Sequence, residues 1–201
     1  MASNAEKRNT KERKLNWKQL IVLYLHDWLF LLIAIFLLFL LLFRVIVVSG
    51  DSMYATLWDG DYLLLLSNTF YHEPKQGDVV VISKESFDDG KPIIKRVIAT
   101  EGQTVDIDFD QGIVYVDGQA LREDYTHNLT TREEGMHFPL VVEDDCIFVL
   151  GDNRGVSLDS RSPEIGQIDK REVLGKAIFL MLPGTNHNEQ LRDFDRVGVI
   201  Q

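Results

Sequence analysis

From Trp28 to Phe43 the chain runs through sixteen residues without a single polar side chain, and nothing else in the sequence restricts its fold so strongly. As a helix this run covers about 24 Å, short of a hydrocarbon core of about 30 Å. Leu20–Leu25 upstream of His26-Asp27, or the residues beyond Arg44, must supply the remainder. Arg44 can extend its charge to the far interface, and Trp17 and Trp28 suit the near one. A cleaved leader would have a shorter apolar region followed by small residues of the A-x-A kind, and none follow Phe43. The run therefore reads as a retained anchor. Residues 1–19 form a basic tail, 20–48 the anchor and its juxtamembrane segment, and 49–201 an exported domain. Six bases lie ahead of the span (Lys7, Arg8, Lys11, Arg13, Lys14, Lys18) and only Arg44 directly behind it. That asymmetry predicts a single-pass chain with its N-terminus in the cytoplasm.

Charge divides the chain in the same place. The net charge is −10, yet the tail is positive and the exported part carries the acid. A domain so acidic lacks the basic face that phosphate backbones require, which excludes nucleic acid as a partner. Cys146 is the single cysteine, so no intrachain disulfide forms. The five histidines (His26, His72, His127, His137, His187) are scattered without ligand spacing, and the sequence predicts neither a metal nor another cofactor.

The exported part reads as mainly β: antiparallel sheets or a partly open barrel. Short runs such as Tyr62–Leu66, Val79–Ile82, Ile93–Ile98, Ile147–Leu150 and Ala177–Met181 are separated by turn residues. Thr104–Ile107 and Ile113–Val116 predict a hairpin, and Asp117-Gly118 reverses the chain again. Residues 122–139 are polar and irregular, as in a long loop. Asn128-Leu129-Thr130 fits a glycosylation acceptor, a pattern short enough to occur by chance.

Three stretches carry candidate chemistry. In the first, four β-branched residues (Val45–Val48) favour a strand, and Gly50-Asp51 lets the backbone bend before Ser52. In the second, Lys95 and Arg96 interrupt an apolar strand. A lysine there ordinarily points outward. The alternative is a buried amine: its usual value near ~10.4 can fall by ~3–5 units on burial, enough to leave a free base near neutrality. The third, Gly151–Arg161, is a polar segment directly after an apolar strand. It is either a surface turn or a brace, with Asp159 able to pair with Arg161 and Ser157 able to hydrogen-bond a neighbour.

Taken together, these stretches resemble type I signal peptidases in the short form typical of Gram-positive bacteria. Ser49-Gly50-Asp51-Ser52-Met53-Tyr54-Ala55-Thr56-Leu57 resembles the family's S-G-x-S-M-x-P-T-L box, and Ile94–Ile98 its lysine box. Gly151-Asp152-Asn153-Arg154 with Ser157, Asp159, Ser160 and Arg161 resembles its G-D-N-R-x-x-S-x-D-S-R box, and Gly77–Val80 matches a further strand. The resemblance implies a membrane-bound serine endopeptidase that removes signal peptides from exported preproteins. Ser52 would be the nucleophile, Lys95 the general base, and the Ser52 N–H an oxyanion donor. Ser157 would orient the Lys95 amine, Asp159 would pair with Arg161 and Arg96, and Met53, Gly50 and Asp51 would border the substrate cleft. Small pockets would select Ala-like residues before the cut, with the bilayer and the preprotein as partners. Two positions depart from the pattern. Ala55 replaces the box proline, which predicts a looser turn. Gly50 stands where some members carry a second, hydroxyl oxyanion donor. The rival reading is a catalytically silent, membrane-tethered binding or assembly module of the same fold.

Overall fold

The structure, a computed structural model, describes residues 16–185 and 192–200. Most of the basic tail and His187 lie outside the described residues. The chain divides into two units, meeting near Leu40–Leu41.

The first unit is helical. Helix α1 runs Trp17–Leu42 without a break at His26-Asp27, so the upstream turns join the apolar run in one helix. Leu20–Leu42 gives 23 apolar-rich residues, roughly 35 Å of helix. Its leucines and phenylalanines are exposed along its length; the helix is apolar on all sides and long enough to cross a membrane. His26 Nδ1 and Asp27 Oδ1 are 3.4 Å apart, so the two interrupting polar groups offset each other. The helix takes in Trp17–Gln19, three residues expected to belong to the tail.

The second unit is mainly β and antiparallel, as expected. Its strands are β1 (Phe43–Val47), β2 (Tyr62–Ser67), β3 (Val79–Ile82), β4 (Ile93–Thr100), β5 (Thr104–Asp108) and β6 (Ile113–Val116). They continue with β7 (Gln119–Ala120), β8 (Leu140–Val141), β9 (Cys146–Leu150), β10 (Ile168–Asp169), β11 (Val173–Leu182) and β12 (Gly198–Val199). The larger sheet runs β1-β2-β11-β3-β4-β9-β10, with β12 added alongside β11; it does not close on itself. The smaller runs β7-β6-β5-β8, and β5–β6 is the predicted hairpin. Residues 122–139 form the predicted loop.

Strand β4 explains why simple alternation fails at the centre of this unit. Ile94 through Ala99 are all buried, because apolar clusters cover both faces of the strand. Such strands read as continuous apolar runs rather than alternating ones. Any polar side chain within the run is buried with its neighbours. Lys95 and Arg96 are 3% and 1% exposed, so the outward-pointing reading of Lys95 is overturned.

Near the C-terminal end, Arg196 reaches back across the unit. Its guanidinium donates to both oxygens of the fully buried Asp61 at 3.0 and 2.7 Å, and lies 3.8 Å from the centre of the Trp58 ring. Asp61 also accepts from the Trp58 and Gly184 N–H groups. Removing one partner of a buried pair leaves an uncompensated charge, at a cost of about 3–5 kcal/mol. Arg196→Ala is therefore expected to lower the unfolding free energy of the full chain in detergent by about that amount, and Arg196→Lys by less. Denaturant titration measures both; an unchanged midpoint for the alanine variant would show that Asp61 is not held by this pair.

Candidate active site

Ser52 follows β1 by five residues and lies in a turn rather than at the strand end. The turn is fastened on both sides. Val48 N–H donates to Asp61 O at 2.8 Å, and Gly60 N–H to Val48 O at 2.9 Å. Gly50 takes φ +87°, and its N–H donates to Asp59 Oδ1 at 2.8 Å. A Cβ there would meet nothing, so the glycine is needed for its backbone angle and not for room. Met53 and Leu57 then plunge into the core at 1% and 0% exposure.

Around Ala55 the turn is held by several hydrogen bonds. Leu57 N–H donates to Met53 O, Trp58 Nε1 to Ala55 O, and Arg196 Nη2 to Thr56 O. The Thr56 hydroxyl donates to Asp152. These bonds replace the restraint that a proline would give.

Lys95 extends from β4 to this turn. Its Nζ donates to Ser52 Oγ at 2.9 Å and to Ile94 O at 3.1 Å. Burial pulls the amine down from 10.5 to about 8, against the opposing pull of the Asp159, Asp152 and Glu134 charges; Arg161 pushes the same way as burial. About one amine in ten is then neutral at pH 7. A hydroxyl within hydrogen-bond reach of a neutral amine can lose its proton to it.

The Gly151–Arg161 segment is a brace, and a buried one. Asn153 N–H donates to Ser52 O at 3.0 Å, and Asn153 Nδ2 to Asp51 O at 3.1 Å, so one residue grips the turn twice. Asp159 accepts from Arg161 Nε and Nη2 at 2.8 and 2.9 Å and from Gly151 N–H at 3.0 Å. Arg154, wholly buried, pairs with Glu123 and donates to Thr130, so the hydroxyl of the possible glycosylation acceptor faces inward.

Two expectations about this brace need correction. Asp152 stands opposite Arg96, accepting from Nε at 2.9 Å and Nη2 at 2.7 Å, where Asp159 was expected. The Tyr125 ring covers the same guanidinium at 4.0 Å. Ser157 does not hydrogen-bond the Lys95 amine; Ile94 O takes that donor. Among the described residues the Ser157 hydroxyl has no partner, because it lies over the bare α-carbon of Gly151, where a methyl group would collide with it and with Ser52 O.

A cleft of about 540 Å³ opens at Ser52 and Lys95. Ile46, Val47 and Val48 form one wall and Ile93 and Ile94 the other, with Ser49, Met53 and Leu158 between them. Met53 borders the cleft as expected. Gly50 and Asp51 do not: the turn carries them to the outside, and Asn153 holds the Asp51 carbonyl. The Ser52 N–H has no acceptor among the described residues. His127 packs edge-on against Tyr54, its ring centre 4.8 Å away, and donates its backbone N–H to Asp152 O; among the described residues no histidine takes the place of Lys95.

Sequence reasoning assigned no role to Asp152, Asn153, Thr56, Tyr125 or Glu134. The first two stand inside the quoted box. Their signal was the box's own composition: two arginines and two aspartates after an apolar strand can be buried only as pairs.

The low value of Lys95 has a consequence for stability. The folded chain binds this proton less tightly than the unfolded chain, whose amine titrates near ~10.5. The associated stability is complete above ~10.5, declines as pH falls to about 8, and is absent below that. Lys95→Met removes the penalty, on the order of 3 kcal/mol at pH 7. The variant should unfold at higher temperature than wild type at pH 7, with the difference vanishing near pH 10.5. A difference independent of pH would refute a buried, depressed amine.

Comparison with known proteins identifies the family. The family model "Signal peptidase, peptidase S26" matches residues 21–182. A probable signal peptidase I-1 from Synechocystis sp. is 36% identical over 146 residues, 69% of this chain and 70% of its own. A signal peptidase I from Bacillus amyloliquefaciens is 31% identical over 191 residues, 91% of this chain and 96% of its own. A crystal structure of a signal peptidase I from Enterococcus faecalis V583 shares 28% identity, covering 52% of this chain and 96% of that one, with a TM-score of 0.43. With most of its length matched by the family model and by such relatives, the chain belongs to the signal peptidase family, peptidase S26.

Proposed function

We propose that this protein is a membrane-tethered serine endopeptidase that cuts signal peptides from exported preproteins with Ser52 and Lys95. The observation that carries the reading is the 2.9 Å contact between a hydroxyl and a buried amine that titrates near 8. Neutral Lys95 takes the Ser52 proton as Oγ attacks the scissile carbonyl carbon. The tetrahedral oxyanion accepts from the Ser52 N–H. The intermediate then collapses: the C–N bond breaks, and Lys95 gives its proton to the leaving amine. Water, deprotonated by the neutral amine, attacks the resulting ester and restores Ser52. Asp152, Asp159, Arg96 and Arg161 touch no reacting atom; they hold the turn and the amine in register.

The cleft suits an extended peptide. Strand β1 ends the larger sheet and leaves one edge open, while Ile93 and Ile94 precede the stretch of β4 that pairs with β9. A preprotein segment laid between them would add backbone hydrogen bonds to both walls. The apolar walls suit the small side chains expected before the cut. Helix α1 anchors the chain in the bilayer with the basic tail inside and residues from Ser49 onward outside. Ser52 is only ten residues along the chain from Leu42, so enzyme and substrate meet at the same lipid surface.

Full-length protein in detergent, given a preprotein, should cleave it. Ser52→Ala and Lys95→Ala should each lose at least about a thousandfold in rate. Lys95→Arg should fare no better, since a guanidinium stays charged. Between pH 7 and pH 9 the wild-type rate should rise about tenfold as Lys95 loses its proton. Cleavage surviving in Lys95→Ala would refute Lys95 as the base, and an intact substrate with wild type at every pH would favour a silent binding module.

A further inference from the structure

Within Leu20–Leu42, helix α1 carries an imidazole and a carboxyl, His26 and Asp27, for which neither the catalytic site nor the span has any use. Their depth follows from where the helix ends. Phe43 opens β1 and enters the ladder with β2 opposite Leu66, so Leu42 is the last residue the helix can offer to a bilayer. A hydrocarbon core of about 30 Å takes about 20 helical residues, which counts back from Leu42 to Leu23. His26 and Asp27 then lie roughly 5–6 Å inside the boundary nearer the N-terminus, and any tilt of the helix carries them deeper. Their side chains are 60% and 77% exposed on the helix surface. The single contact between them, Nδ1 to Oδ1, is 3.4 Å long, and adjacent residues on a helix do not face each other. Among the described residues neither side chain has a further polar partner.

Polar side chains at membrane depth are satisfied by other helices. Leu23, Asp27, Phe30, Ala34, Leu37 and Leu41 are spaced alternately by four and three residues, the seam along which two parallel helices wind. Ala34 is the one small residue of α1. It stands one heptad beyond Asp27 on this seam, where it lets two backbones approach closely. His26 flanks the seam. In parallel packing each seam residue enters a hole built by four residues of the facing helix, and for Asp27 these include the position next to its own counterpart, which is His26. A second copy therefore meets the first with donor against acceptor twice, His26 to Asp27 and the reverse, as a two-fold axis requires. An imidazole keeps an N–H and a carboxyl an accepting oxygen in either protonation state, so the match does not depend on charge. A different helix would need its own donor and acceptor at matching height; a second copy has them by identity.

We propose that helix α1 is a self-association surface as well as an anchor, on which two copies of the chain pair in parallel through reciprocal His26–Asp27 hydrogen bonds, with Ala34 at the close approach. This rests on the reading of α1 as a membrane span. Each copy keeps its own Ser52 and Lys95, so cleavage does not require the pair.

The test uses the full chain with Cys146→Ser, reconstituted in phosphatidylcholine–phosphatidylglycerol vesicles, with single cysteines placed along α1. Oxidation should cross-link Phe30→Cys, Ala34→Cys and Leu37→Cys and leave Leu32→Cys and Phe36→Cys, on the opposite face, largely monomeric. Energy transfer between copies carrying a fluorescent tag at the N-terminus, read across protein-to-lipid ratios, gives the dissociation constant. His26→Leu or Asp27→Leu should raise it about five- to tenfold. Exchanging the two residues, His26→Asp with Asp27→His, keeps donor and acceptor and should restore pairing. Cleavage of a preprotein at the wild-type rate shows that Asp27→Leu is folded, and the exchange variant carries the test without any change of composition. Cross-links that ignore position, or a dissociation constant unmoved by Asp27→Leu, overturn the proposal. So does a chain that is monomeric in vesicles at every ratio; if it then forms a larger cross-linked species only in cell membranes, another protein's helix takes the pair instead. Flotation with the vesicles and resistance to alkaline extraction keep the two readings apart. A chain that is extracted fails as an anchor, whereas one that stays bound and monomeric fails only as a pair.

Discussion

The molecule depends on putting an amine where water cannot reach it. Strand β4 is covered on both faces, so Lys95 loses its hydration without gaining a direct carboxylate partner. In water the hydroxyl of a serine and the ammonium of a lysine are both at rest. Only the cost of burying charge makes the neutral amine accessible, and that cost is drawn from the stability of the sheet. Fold and chemistry are therefore coupled at one residue: the substitution that would steady the sheet most is the one that removes the base.

Around this amine the protein builds a polar layer rather than an apolar one. Arg96 follows Lys95 directly and cannot avoid burial; Asp152 meets it, Thr56 meets Asp152, and Thr56 belongs to the turn that carries Ser52. The path from base strand to serine thus runs through one fully hydrogen-bonded carboxylate. Asn153, the next residue, grips the same turn through backbone and side chain. A network of this kind tolerates no missing member, because each removal strands a charge in a medium of low dielectric. This explains why the box is long and nearly all polar although it is nearly all buried.

Much of this was legible in the chain, and the failures have physical causes. The apolar helix, the β class and the β5–β6 hairpin follow from residue types and order; the Ser52, Lys95 and Gly151–Arg161 stretches stood out by composition, and their expected roles came from the family resemblance. Partner assignment within the box does not. Asp152 and Asp159 are seven residues apart in a loop without a period, and only the fold decides which arginine each one meets. Ser157 was expected on the amine through the family resemblance; its place over Gly151 depends on the absence of a Cβ there. The contacts of the turn around Ala55 were equally illegible, since Arg196, 140 positions after Thr56, donates to the Thr56 carbonyl. Glu134 gave no signal, because one more acid in an acidic loop looks like solvent-facing charge.

The clasp of Arg196 on Asp61 also dictates an order of events during biosynthesis. A ribosome releases residue 61 long before residue 196, so the carboxylate beneath the Ser52 turn waits without its partner through most of translation. Contacts of such sequence separation close late, since they bear the greatest loop entropy. The turn that presents the hydroxyl is thus among the final parts to set. The clasp beneath the Ser52 turn therefore stays open until residue 196 has emerged.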